Sequence, residues 1–302
     1  MKKTLYLLIL MAAMGALILV PACSDDDNGT GPGDADIEAL MRTQISQDMD
    51  AIVTSLIFGL SQFEGFDNDP GFDDLFSKRN ASASPQDSLD YQYTEDGWHA
   101  LYLERDDQMN LDGILLDYDL TLSDSIQFRE DDIILQYPGD SADYLHYIIW
   151  MDMMLNIDAD DTSLTVNIDE YHIDCIFDKQ PEDDALVSGD LDLDYTVTAV
   201  AGADRGTGNV VYSIDITSLE LTQPYGCPES GVLSADLSVD FQGTAGEADG
   251  NWTAVVTFLG NNQARVQLTG PGYSFDWTKT FECGDDVVAS PIPFGAFIPS
   301  NR

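Results

Sequence analysis

Basic residues are scarce in this sequence. Twelve lysines and arginines stand against 55 aspartates and glutamates in 302 residues, a formal net charge of −43. Such a chain repels phosphate backbones, which argues against nucleic acid as a partner. An anionic membrane surface is disfavoured for the same reason. Histidine is scarcer still. None of His99, His146 and His172 stands at metal-site spacing from a cysteine or another histidine, so spacing supports no zinc centre. Long apolar runs are few as well. Leu5 to Val20 is an unbroken apolar stretch of 16 residues, short for a membrane span. What is abundant is aspartate, 44 of the 55 acids. It suits turns and strand ends, solvates a surface, and ligates hard cations. With 44% hydrophobic and 10% aromatic residues, the chain can still build a core.

The apolar stretch follows a basic start, Met1-Lys2-Lys3, and runs into Val20-Pro21-Ala22-Cys23. That order is a signal peptide. An aliphatic residue at −3 and a small one at −1, directly before cysteine, resemble the lipobox of bacterial lipoproteins. The resemblance covers residues 1–23. It implies cleavage before Cys23 and acylation, palmitate included, of its sulfur and new amino group. Several acyl chains at ~0.8 kcal/mol per buried CH₂ anchor a protein durably. Ser24 after the cysteine implies the outer membrane, and Asp25-Asp26-Asp27 is similar to the acidic tract of surface-exposed lipoproteins. Either a surface-exposed or a periplasm-facing protein fits. The organisation expected is a signal peptide (1–22), a flexible tether (23–33), a helix (34–63), a loop (64–88), a β domain (89–283) and an extended apolar tail (284–302).

Ile37, Leu40, Met41, Ile45, Met49, Ile52, Val53, Leu56, Ile57, Leu60 and Phe63 recur at three- and four-residue spacing, which predicts one amphipathic helix. Beyond the loop the period drops to two. In 188–199, Leu191, Leu193, Tyr195, Val197 and Ala199 share one face and Asp190, Asp192 and Asp194 the other. The alternation slips phase between Ile168 and Tyr171 and again between Ile216 and Leu219, which predicts bulges. Ser188-Gly189-x-Leu191 and Ser230-Gly231-x-Leu233 repeat at an offset of 42 residues. The fold class expected is mainly β: an antiparallel meander forming a strongly curved sheet or partial barrel, with one N-terminal amphipathic helix packed on it.

Catalytic motifs do not assemble. "GDSADYLH" (139–146) holds Ser141 and His146 five residues apart in strand-patterned sequence. Hydrolases of the Gly-Asp-Ser type carry these elements at opposite ends of an α/β domain. The residue His172 reads as a surface side chain beside Asp174. No catalytic residue is assigned. Calcium is the one cofactor the residues suggest. Asp67, Asp69 and Asp73 flank Gly71 in an acidic loop that departs from the EF-hand pattern, with glycine fifth and Lys78 twelfth. Cys227 and Cys283 are a candidate disulfide, permitted by export and dependent on sheet curvature. Cys175, between Ile173 and Phe177, reads as a buried free thiol. Three functions follow in order: a non-catalytic binding or scaffold lipoprotein with an unknown protein, glycan or lipid partner; a carrier holding an apolar ligand in a half-barrel; and an enzyme acting on surface polymers. Element order alone carries the carrier reading, through its resemblance to helix-lidded lipoprotein carriers.

Overall fold

The computed structural model describes ten helical residues between 41 and 56, and residues 87–111, 114–136, 142–159, 162–180, 184–221, 228–243 and 246–281. Among the described residues, alternation at period two produces twelve strands: β1 (Asp87–Tyr93), β2 (His99–Leu111), β3 (Ile114–Glu130), β4 (Ile133–Leu135), β5 (Tyr144–Ala159), β6 (Thr162–Lys179), β7 (Ala185–Ala201), β8 (Asp204–Leu221), β9 (Pro228–Gly243), β10 (Gly246–Gly260), β11 (Gln263–Gly270) and β12 (Tyr273–Thr280). They form one antiparallel sheet in the order β1-β2-β3-β5-β6-β7-β8-β9-β10-β11-β12, and β4 pairs with β3 on the side away from β5. The described strands do not close into a barrel, because β1 and β12 are not paired.

Local chemistry fixes the reversals. Asn261 and Asn262 both take positive φ (54° and 61°) between β10 and β11, as a two-residue hairpin turn of the primed type requires. Pro271-Gly272 joins β11 to β12, with Gly272 at φ 82° in the position where a type II turn needs glycine. Register shifts occur between Ile168 and Glu170 and between Thr217 and Glu220, where the apolar phase of the sequence slips. Further shifts lie at Met151/Met153, Val187/Gly189 and Phe258/Gly260.

One sheet face is apolar and buried. Leu116, Leu122, Leu145, Tyr147, Ile173, Cys175, Phe177, Leu191, Tyr212, Leu233, Ala254 and Val266 belong to one continuous core. Met41, Ile45, Met49, Ile52, Val53 and Leu56 join it from the helical residues. The helix expected over 34–63 is not supported at that length: helical residues are described only between 41 and 56, and the remainder of the stripe lies outside the described residues. Among the described residues no helix is long and apolar enough to cross a membrane.

Candidate functional site

The face opposite the core carries the chemistry. Strand alternation sends Ile148 and Trp150 of β5, His172 and Asp174 of β6, Asp190 and Asp192 of β7, and Ser213 and Asp215 of β8 to this outward side. Pairing then sets them in two rows. In the first, Trp150 opposes His172, which opposes Asp192 and then Ser213. In the second, Ile148 opposes Asp174, followed by Asp190 and Asp215. Three aspartates from adjacent strands thus stand side by side, an arrangement that like-charge repulsion disfavours.

The turn end of the β6–β7 hairpin sets which residues meet. From Lys179↔Ala185 to Glu170↔Asp194 the pairing runs unbroken, and the bulge in β6 shifts it only past that stretch, from Ile168↔Tyr195 onward. Within the unbroken stretch, His172 Nδ1 lies 3.9 Å from Asp192 Oδ2. One ligand atom each from His172, Asp190 and Asp192 falls within 4.8 Å of the other two. The imidazole stacks on the Trp150 indole, centroids 3.9 Å apart and planes 24° from parallel. Trp150 is 49% exposed. Partial burial and the neighbouring Asp174 raise the Asp190 carboxyl above the usual carboxylate range, with Asp192 and Asp215 adding to the effect and His172 opposing it. Beside this group, His146 Nε2 meets Asp174 Oδ1 at 2.6 Å, and Trp98 packs edge-on against the His146 ring.

The remaining histidine does structural work. His99 is buried, its Nε2–H donating to the Gln136 carbonyl at 2.6 Å and its Nδ1 accepting from the Tyr91 hydroxyl at 2.7 Å. Cys175 is a free, buried thiol whose pKa burial pushes up, which makes it a poor nucleophile. Cys23, the acidic-loop residues Asp67, Asp69 and Asp73, the pair Cys227 and Cys283, and Ser141 lie outside the described residues.

A second polar group sits on the core side. Asp124 of β3 is 1% exposed and accepts a hydrogen bond from the Tyr147 hydroxyl at 3.3 Å. Desolvation holds its carboxyl well above the ordinary range, and the Tyr147 bond offsets this in part. A carboxyl whose folded pKa is raised above the unfolded value near 3.8 contributes stability at low pH and loses it as pH rises through the folded value. Urea midpoints measured from pH 4 to pH 8 are therefore expected to separate Asp124→Asn from the wild type progressively, the variant gaining as pH rises. Parallel curves would show that Asp124 is not the titrating group. The phase Leu120, Leu122, Asp124, Ile126 is the sequence signal that marks this residue as inward.

Comparison with known proteins returns nothing to set beside this geometry: no family model, no curated protein and no solved structure matches the chain.

Proposed function

We propose that this chain is a lipid-anchored, non-catalytic binding or scaffold protein of the bacterial outer membrane, presenting the outward face of β5–β8 to its partner. The observation that carries the reading is how the inner face is filled. A carrier needs an empty apolar cavity. Here Ile45 and Met49 are 0% exposed and lie in the same core as Leu145, Phe177 and Leu191. Polar contacts support the same seating of the helical residues. The Tyr212 hydroxyl donates to Asp48, Lys279 Nζ reaches Asp50 at 2.8 Å, and the Arg42 guanidinium lies 5.1 Å from the Trp277 ring centroid.

Curvature belongs to the same reading. Eleven strands side by side span on the order of 48 Å, whereas a helix with its side chains is about 10 Å across. One helix cannot cover such a width if the sheet is flat, so the sheet curls around it, helped by the bulges. The outward face speaks against a wall in contact with lipid. Asp174, Asp190, Asp192 and Asp215 stand where an outer-membrane barrel would carry its apolar band. The anchor is then Cys23, on the strength of the lipobox alone.

The test compares the full chain with its Cys23→Ser variant in a bacterial host that acylates lipoproteins. The wild type is expected to take up labelled palmitate and the variant not to. Native mass spectrometry of the variant is expected to give the bare chain mass. A retained lipid-sized adduct would overturn the scaffold reading in favour of the carrier, and palmitate labelling of the variant equal to the wild type's would remove Cys23 as the anchor.

A further inference from the structure

We propose that His172, Asp190 and Asp192 form a binding site for a borderline divalent metal ion of the zinc class on the outward face of β6 and β7. This deepens the binding reading by naming a ligand class, and it concerns different residues and different chemistry from a calcium site at Asp67, Asp69 and Asp73.

Three observations combine. The donor set is mixed, one imidazole nitrogen with two carboxylate oxygens, and a set containing imidazole selects zinc-like ions over calcium or magnesium. The donors are already gathered, within 4.8 Å of one another and 3.9 Å apart for the His172–Asp192 pair. Ligands at ~2.0–2.2 Å from zinc stand about 3.4 Å apart in a tetrahedron, so side-chain adjustments of around 1 Å close the site. Two paired strands hold the backbone positions, and the Trp150 stack holds the imidazole plane. A metal ligand oriented by its neighbours is the ordinary design of such centres.

The third observation is the aspartate row. Asp174, Asp190 and Asp215 are direct cross-strand neighbours. The titratable groups around the site are His172 and the Asp174-bound His146 together with Asp174, Asp192 and Asp215. A dication among these carboxylates offsets repulsion that the strand register imposes. Three protein ligands leave open coordination positions toward solvent beside the exposed Trp150 indole. A partner's carboxylate, imidazole or hydroxyl can complete the sphere there, which makes the ion a bridge between the sheet and its ligand.

The experiment is zinc titration of the chelator-treated full chain carrying Cys23→Ser, followed by calorimetry and tryptophan fluorescence. One equivalent of zinc is expected to bind and to change the emission, and Trp150→Phe is expected to remove most of that change while leaving binding in place. His172→Gln and Asp192→Asn are each expected to weaken binding by more than the ~10–100-fold that loss of an outer-shell partner costs. Asp240→Asn, on β9, should leave it unaltered, and calcium should not compete at equal concentration. Undiminished affinity in His172→Gln, sensitivity to His146→Gln in its place, or equal displacement by calcium would each overturn the assignment. The two proposals fail separately: a lipid adduct in native mass spectrometry overturns the binding reading whatever the zinc titration gives.

Discussion

Gly189→Ala is expected to destabilise the protein by about 3–5 kcal/mol, far beyond the ordinary cost of an added methyl group. Gly189 opposes Cys175 of β6 on one side and Ile216 of β8 on the other, at a register shift whose extra residue lies in β8. A Cβ built there would lie 2.1 Å from the Asp174 carbonyl oxygen and 2.8 Å from the Cys175 Cα. Both obstacles are backbone, so relief requires the two strands to part. The φ of 156° adds strain for any L side chain. Gly202→Ala separates the two causes. Its φ is 62°, yet nothing lies within 4 Å of the added atom. That variant should lose only the ~1–2 kcal/mol of a left-handed non-glycine residue. Urea unfolding followed by circular dichroism measures both. Equal losses would refute the close-approach account. Because Asp190 follows directly, Gly189→Ala should also disperse the aspartate row and weaken any cation bound there.

The repeat at 42 residues acquires a physical meaning from the same geometry. Gly231 at φ 111° would bring its Cβ to 2.6 Å from the Leu219 Cα of β8, as Gly189 does against β6. Both glycines let a strand crowd the strand before it. The sequence pattern located these positions and two of the bulges because glycine and a slip of phase are local signals. The asparagine pair 261–262 and Pro271-Gly272 set only the turns. Register was not legible. His172 and Asp192 are 20 residues apart, and they meet only because the β6–β7 hairpin pairs them in the register set at its Lys179↔Ala185 end. Read along the chain, His172 has Asp174 for company and no second ligand. Asp124 shows the opposite limit: its inward phase was visible, but desolvation at that depth depends on packing from other strands. The helix is supported over only part of its expected length: helical residues are described from 41 to 56, and the rest of the stripe, to Phe63, lies outside the described residues. Periodicity shows which face would be buried and does not show how far the helix runs.

Trp252→Ala carries the second large effect, an expected loss of about 3–5 kcal/mol. The side chain is 7% exposed on the inner face of β10 and stacks near Tyr273 and Phe275 of β12 at 6.0 and 6.2 Å between centroids. Its indole reaches them by lying across bare backbone. A Cβ on Gly270 of β11 would stand 2.1 Å from the indole Cδ2 and Cε3. An aromatic ring covering a glycine pins strand register, and here it does so beside the last described strand of the sheet. Tyr273, Phe275 and Trp277 are only partly buried where they pack against the core, and the first two do so beside this indole. Hydrogen exchange should therefore show β12 amides losing protection in Trp252→Ala before those of β7 or β8. Gly270→Ala alone should cost about 1–3 kcal/mol through the clash. In the Trp252→Ala background that clash has no ring to meet, so the double variant should be more stable than the sum of the singles by at least ~1 kcal/mol. Strict additivity would mean that the indole can swing away from Gly270 at no cost, and that its stacking on β12 does not hold the edge of the sheet.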